Sequence, residues 1–519
     1  MPSDDSKVDI KKILAPLSLE QMKSLTKEEL LTLCLSEQKI RLQFQSFLDE
    51  AKAVNKELEQ KRVLIEEQYV VLKNKFYAKS SERRKSRTPE SKVPPPRNRP
   101  KKKKRQRPSE RYPDLALIER DVALETPPKC SQCEAEMTDS GMTETSEYLT
   151  VTPIKFTIIE QNRHKYRCPK CHSDVKTTPV PPRICPGSAY SDDMILDVAL
   201  SKYCDLIPIQ RYVSIAARQG VEGLPAQSLI QLTHHLADFL KPVCESVRDD
   251  ILSSRLLHAD ETPHRMLEGG GDKKSWYLWS FSNLKSCYFE IRDTRSGDVA
   301  SDLLTQSACE KLVSDVYSGY GKAVRETNKV RAREEKPRIQ HYYCNAHARR
   351  KFTEAEKYPE AEQFVTLYGK IYRLDKIARK RPFHRILRVR KYMTPLFAEM
   401  KTLAETLGNA VSSKSLLAKA MNYFLGNFTE LTRFVTDPEA PIDNNSQERS
   451  LRNPVIGRKT WYGTHSRRGA ETNAALFTLV ESCKLCGVNP REYFARVVQN
   501  IHAKKIPLTP AQFAQTPTG

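Results

Sequence analysis

The chain has 519 residues, which at roughly 100 to 200 residues per domain argues for three or four units and excludes one small module. Hydrophobic residues make up 39% and charged residues 29%, mean hydropathy is −0.60, and no apolar run approaches the roughly 20 residues of a membrane span. Met1 to Ala15 lacks an uninterrupted signal-peptide core, so the expectation is a cytoplasmic protein with no membrane partner. The formal net charge is +22, which makes a polyanion the natural partner to consider.

In chain order, Leu30, Phe44, Ala51, Leu58, Ile65 and Leu72 share one heptad position, and Leu33, Ile40, Phe47 and Val54 share the position three later. That spacing predicts a coiled-coil seam and a homo-oligomer. Glu37 interrupts the first set, while Lys61, Gln68 and Lys75 end the second. The same stripe also suits an amphipathic helix packed on its own chain. Lys79 to Arg107 follows with 14 Lys or Arg against 2 Glu, more than half of the net positive charge. Its prolines and the Lys101 to Arg105 cluster predict a disordered basic tether that binds phosphates without sequence preference, or a solubilising linker.

Cys130-x-x-Cys133 and Cys168-x-x-Cys171 carry the strongest metal signal, because two knuckles present four thiolates to one Zn²⁺. The 34 intervening residues include β-favouring runs, Tyr148 to Val151 and Lys155 to Glu160, which predict a zinc-ribbon-like hairpin. Cys185 and the Cys483-x-x-Cys486 pair lack a second pair and read as ordinary thiols. Asp192 to Asp250 is helical by pattern, and Ile207 to Gln219, a Gly220 to Gly223 turn and Pro225 to Leu236 predict either a helix-turn-helix or a plain helical hairpin.

Leu256 to Thr262 reads as a buried strand that presents Asp260 at its end. Ser275 to Phe281 and Cys287 to Arg292 add two strands, a helical stretch passes Asp298, Lys311 to Ser314 delivers Asp315, and His341 to Cys344 makes a further strand. An RNase H-like sheet has that order. Two acidic groups on adjacent strands repel each other unless divalent cations lie between them, and hard oxygen ligands select Mg²⁺ or Mn²⁺. The third carboxylate is expected at Glu448, with Asp443 as helix cap and Asn444, Asn445 and Arg452 on the same face by their three- or four-residue spacing. Alone, a Glu beside an Arg reads equally as a solvated helix pair.

Leu257 to Pro263, Ser314 to Tyr320, Cys344 to Phe352 and Asp443 to Arg452 together resemble, in order, the successive signatures of the insertion-sequence-sixty-six family of bacterial DDE transposases. The likeness also takes in the helical amino terminus, Phe76 to Arg83, the cysteine module, Lys202-Tyr203 with Pro208 to Arg211, and Gly463 to Tyr493. The chain departs from the family pattern at Asn345, where an aromatic residue is usual, at Ala78 in place of a glycine, and in the charged Val324 to Gln340 lead-in.

The resemblance implies that Asp260, Asp315 and Glu448 form the catalytic triad and bind Mg²⁺, with DNA as partner and small accessory proteins of the same element plausible. The expected architecture is multidomain α+β, with a retroviral-integrase-like, RNase H-like core, an N-terminal coiled coil and a zinc-ribbon-like module. The boundaries are a helical region 1–78, a basic linker 79–110, a zinc module 118–184, a helical region 190–250, a catalytic domain 251–455 with a helical insertion about 354–436, and a C-terminal DNA-contacting region 456–519.

Arg349, Arg350 and Lys351 are candidates for DNA phosphates, as are Arg449 and Arg452. Arg458, Lys459, Arg467 and Arg468, interleaved with Trp461, Tyr462 and His465, suit backbone contact plus base stacking, or form a solvated loop. His341, Cys344 and His347 have metal-like spacing, but Cys344 and His347 are read as supporting residues beside the sheet, with Asn444 and Asn445. Arg379, Lys380, Arg381, Arg385, Arg388, Arg390 and Lys391 either clamp DNA or form an exposed face. The rivals are a catalytically inactive DNA-binding regulator and a tyrosine recombinase using His347, Arg350 and one of Tyr358, Tyr368 or Tyr372. The sequence holds no phosphate loop of the ATPase type.

Overall fold

The computed structural model describes residues 23–77, 107–111, 147, 155–167, 175–267, 276–408 and 411–516. The chain forms two compact units, one of Met1–Ser80, Pro182–Pro208 and Ser228–Gly519, the other of Ser81–Pro181 and Ile209–Gln227.

In the smaller unit, strands β1 (Lys165–Arg167) and β2 (Val175–Thr177) form an antiparallel pair with Tyr166 opposite Lys176. Cys130, Cys133, Cys168 and Cys171 lie outside the described residues, as do Tyr148 to Val151 and nearly all of the basic tether. The strand expected at Lys155 to Glu160 is absent; that segment is irregular and the pairing begins at Lys165. Ile158 and Ile159 are exposed there, and β-favouring residues make a strand only when a partner and a buried face exist. The helix Ile209–Arg218 belongs to this unit, and Gly220 and Gly223 after it take positive φ of 85° and 72°, backbone that glycine adopts without steric cost.

The larger unit opens with α1 (Lys27–Tyr77), one continuous helix. Thr26 and Glu29 close its first turn: the Thr26 backbone N–H donates to Glu29 Oε2 at 2.8 Å, the reciprocal half of a capping arrangement. The described side chains of both heptad series are exposed, with Ile40, Phe44, Phe47, Val54 and Leu58 all more than half accessible. Burial against other described residues therefore does not account for this stripe.

A five-stranded sheet lies at the centre of this unit. Its strands are β3 (Leu256–His264), β4 (Trp276–Ser282), β5 (Cys287–Arg292), β6 (Lys311–Ser314) and β7 (Gln340–Tyr343), in the order β5-β4-β3-β6-β7. The first three are antiparallel neighbours, and β3, β6 and β7 run parallel. Helix α2 (Asp298–Gln306) follows β5, and α3 (Ser318–Arg333) joins β6 to β7, the crossover that parallel strands require. Leu257, Ala259, Trp279, Phe281 and Leu312 pack with Val299, Leu303, Tyr320 and Val324 of these helices in one apolar cluster. Arg331 on α3 is buried and donates to the carbonyls of Leu304, Ser307 and Pro337, which ties the two helices to the loop before β7.

After β7 come α4 (Asn345–Glu354), α5 (Pro359–Ala378), α6 (Thr394–Leu407) and α7 (Leu416–Gly426). Phe352, Phe364, Tyr368, Phe397 and Phe424 form their aromatic core, with Val313 and Tyr342 of the sheet in the same cluster. Arg390, expected on a DNA clamp or an exposed face, is instead 2% accessible. It donates to Asp375 Oδ1 at 3.0 Å and to the carbonyls of Phe434 and Ala440 at 2.7 and 2.9 Å. A guanidinium has five donors, and here those on its two Nη atoms serve a buried carboxylate and the carbonyls of a turn.

Helices α8 (Asn445–Trp461), α9 (Arg467–Leu485) and α10 (Pro490–His502) complete the unit. The α9 hydroxyls cover the β5 edge: the N–H groups of Cys287 and Phe289 donate to Ser482 Oγ and Thr478 Oγ1, both at 3.0 Å. Among the described residues no helix is long and apolar enough to cross a membrane.

Replacing Arg390 with Ala leaves buried Asp375 with Arg379 as its one remaining cationic partner and strips the turn carbonyls of their donor, so Arg390→Ala should cost about 2–4 kcal/mol in urea unfolding. Burial holds three histidines neutral, His258 and His264 down to about 4 and His341 to about 3. An unfolded histidine takes its proton near pH 6.5, so the unfolded chain binds more protons throughout the interval below. Stability should therefore fall as pH drops from about 6.5 towards 4, read as a falling urea midpoint.

Candidate active site

Asp260 lies on β3 two residues beyond His258, the last position paired with β6, and Asp315 follows the final residue of β6. Side chains on a strand alternate. Leu257 and Ala259 enter the apolar core, which leaves His258 and Asp260 together on the opposite face. The parallel pairing of β3 and β6 thus delivers both aspartates to one end of the sheet.

Glu448 comes to them through a polar clamp. Asn444 Oδ1 accepts from His258 Nδ1 at 2.7 Å, Asn444 Nδ2 donates to the Ala259 carbonyl at 2.9 Å, and the Asn444 backbone N–H donates to Cys344 Sγ at 3.2 Å. One amide side chain therefore joins the start of α8 to β3, and its backbone joins it to the start of α4. Gln447 adds a second hold, accepting from Ser282 Oγ and donating to Ser280 Oγ on β4. Glu448 lies in the first turn of α8, its N–H donating to the Asn444 carbonyl.

Two sequence expectations shift here. Asn444, rather than Asp443, is the helix-capping position by its backbone, and its side chain, committed to β3, makes no capping bond. Asp443 sits one residue earlier and accepts from the Asn445 backbone and side chain at 3.2 and 2.8 Å. Asn345, the departure from the aromatic pattern, is buried and donates to the carbonyls of Leu431 and Ile442, anchoring the approach to α8.

The three carboxylates are electrostatically coupled. Burial raises the Asp260 carboxyl well above the usual range, and the charges of Glu261, Asp315 and Glu448 push it further in the same direction, against one hydrogen bond from the Glu261 N–H. The largest side-chain charges acting on it are negative. Glu261 is itself removed from competition: its Oε1 accepts from Arg295 Nε and Nη2 at 2.8 and 2.6 Å, and its Oε2 accepts from Tyr320 Oη at 2.6 Å. Asp315 Oδ1 accepts from the Tyr317 N–H at 3.0 Å. Glu448 Oε1 is buried without a hydrogen-bond partner. Clustered acids with an orphaned oxygen are a donor set suited to a hard divalent cation, which relieves like-charge repulsion and satisfies the free lone pairs.

A cavity of about 370 Å³ opens beside Asp315, lined by Arg295, Tyr317, His347, Arg350, Lys351 and Tyr423 among others. The Arg295 guanidinium lies 4.1 Å from the Tyr317 ring centre and the Lys351 ammonium 4.6 Å from that of Tyr423, both within cation–π range. Of the basic residues expected to meet DNA, Arg350 and Lys351 line this cavity. Arg349 is half-buried on α4, and Arg449, Arg452 and Lys459 are exposed along α8. Arg458 donates to Thr262 Oγ1 at 3.2 Å, close to the acidic strand. Arg467 and Arg468 lie at the start of α9, paired with Glu471 and Asp238. Arg295, Tyr317 and Tyr423 escape sequence reasoning because they come from three separated segments. Tyr368, one nucleophile of the recombinase alternative, is fully buried in the aromatic core.

A family model described as "Transposase IS66 family" matches residues 187–472, and one described as "zinc-finger binding domain of transposase IS66" matches residues 127–172. The chain belongs to the IS66 transposase family. The first match spans the sheet, all three carboxylates and the start of α9; the second spans the four paired cysteines. DNA is the partner these family domains indicate. Two relatives in Sinorhizobium fredii, "Uncharacterized protein y4jD" and "Uncharacterized protein y4qI", are 27% and 28% identical to this transposase. The alignments cover 73% and 75% of this chain and 76% and 73% of those proteins.

Asp260→Asn removes one of the repelling charges. Without metal it should raise the melting temperature by at least about 2 °C. The raised carboxyl of the parent disfavours folding progressively as pH climbs past the ordinary aspartate range, so the stabilisation by Mg²⁺ should grow with rising pH in the parent and lose that growth in the variant, as read by melting temperature across a pH series.

Proposed function

We propose that this transposase cleaves phosphodiester bonds at the ends of a mobile DNA element and joins the freed 3′ hydroxyls to target DNA, using Asp260, Asp315 and Glu448. The observation that carries the reading is the convergence of three carboxylates from β3, β6 and α8 on one end of the sheet, with Glu261, Asp315 and Glu448 all acting on Asp260 in the same direction. The strand order, antiparallel on one side of β3 and parallel on the other, supports an RNase H-like core with a helical insertion.

Asp260, Asp315 and Glu448 would hold Mg²⁺ or Mn²⁺, which when bound offsets the charge that develops on a phosphoryl group under attack and lowers the proton affinity of the attacking oxygen. The chain's own residues do the positioning. Arg350 and Lys351 face the cavity where a phosphate would meet Asp315, and Arg458 extends the positive surface past Thr262. Tyr317 and Tyr423 offer ring faces for an unstacked base. Arg295 serves indirectly, since its pairing with Glu261 keeps a fourth negative charge from the phosphate. Water attacks first and the 3′ hydroxyl second, so no covalent protein intermediate forms.

Cys130, Cys133, Cys168 and Cys171 are assigned to Zn²⁺, and the matched zinc-finger span supports this. The exposed heptad stripe of α1 supports self-association into a homo-oligomer through a coiled coil.

Incubating terminal DNA fragments with the intact protein and Mg²⁺ should release nicked ends and joined products. Asp260→Asn, Asp315→Asn and Glu448→Gln should each reduce both on the order of a thousandfold while DNA retention in a mobility assay stays close to the parent. Full cleavage by Asp260→Asn would remove the assignment.

A further inference from the structure

We propose that Cys344, His347 and Glu448 form a binding site for one thiophilic divalent cation such as Zn²⁺, separate from the four-cysteine module. The side chains converge from two helices. Cys344 occupies the capping position of α4, His347 lies one turn on, and Glu448 comes from the first turn of α8. One ligand atom from each lies within 4.8 Å of the other two. His347 Nδ1 and Glu448 Oε1 are 3.6 Å apart, and both atoms are buried without a hydrogen-bond partner. Two facing polar atoms of that kind are costly unless something satisfies them both.

The chemistry of the set selects the ion. Thiolate and imidazole favour Zn²⁺ and its neighbours over Mg²⁺, and tetrahedral ligands at their usual bond lengths stand roughly 3.3–3.8 Å from one another. The observed separation of nitrogen and oxygen already falls in that range. Glu448 Oε2 lies 3.8 Å from Arg350 Nη2, which leaves Oε1 turned towards the imidazole. The Asn444 N–H donating to Cys344 Sγ is the kind of outer contact that orients a metal-bound sulfur and stabilises its negative charge. His341, which sequence spacing groups with Cys344 and His347, is engaged elsewhere: its Nε2 lies 2.8 Å from Ser314 Oγ. The structure puts Glu448 in its place.

On binding, the Cys344 S–H bond breaks, its electron pair forms the sulfur–metal bond and the proton passes to solvent. Three protein ligands leave a fourth position for water. One consequence rests on the function proposed above: an ion held here withdraws Glu448 from the acidic triad, so micromolar Zn²⁺ would antagonise Mg²⁺.

The test titrates Co²⁺ into the full chain after its four-cysteine module has been filled with Zn²⁺. One further equivalent should bind, with a sulfur-to-cobalt charge-transfer band in the near ultraviolet. Cys344→Ser should abolish the band, and His347→Gln should weaken Co²⁺ binding at least about tenfold while keeping it; melting curves establish that each variant is folded. Because His347 is partly exposed, its variant decides the matter even where Cys344→Ser unfolds. The proposal is overturned by the absence of a band, by an unchanged band in Cys344→Ser, or by unchanged affinity in His347→Gln. An intact band with no Mg²⁺-dependent end cleavage would sink the catalytic reading alone, and cleavage without the band would sink this site alone.

Discussion

Mutual repulsion among carboxylates is the constraint around which the larger unit is organised. Asp260, Asp315 and Glu448 would separate in a free chain, and each is kept in place by something it does not itself provide. The parallel pairing of β3 with β6 fixes the two aspartates, and Asn444 fixes the helix that carries Glu448. Burial first, and the neighbouring acids after it, raise the Asp260 carboxyl. Stability for the arrangement comes from outside it, in the apolar cluster beneath β3 and the aromatic cluster of the helices after β7.

Much of this frame was legible in the residues. The strand pattern from Leu256 to Cys344 and the acids at its ends follow from short apolar runs closed by polar residues, and the structure has each strand close to its expected place. Glu448 could be nominated because an amide-rich segment precedes an amphipathic helix. What that segment does was not legible: Asn444 bonds a histidine and a carbonyl 186 and 185 residues away, and no local pattern encodes such a pairing. The same limit explains Arg390, whose neighbours in sequence are basic while its partners in space are Asp375 and three carbonyls. Charge clustering along a chain describes composition, and burial is settled by contacts that composition does not contain.

Local propensity failed where tertiary contact was missing. Lys155 to Glu160 has the residues of a strand but neither a partner nor a buried face. The cavity beside Asp315 shows the converse. Its lining mixes α4, the turn after β6, the loop after β5 and α7, and only the folded chain shows that Arg295 pairs with Glu261.

The cover on β5 has an implication for assembly. Thr478 and Ser482 occupy backbone donors that an outermost strand normally leaves open, and an open row of that kind is what recruits strands from other molecules. With the row capped by hydroxyls, sheets from neighbouring copies cannot fuse along this border. Copies gathered on one nucleic acid would therefore not be joined along β5, and any contact between them would fall to other surfaces.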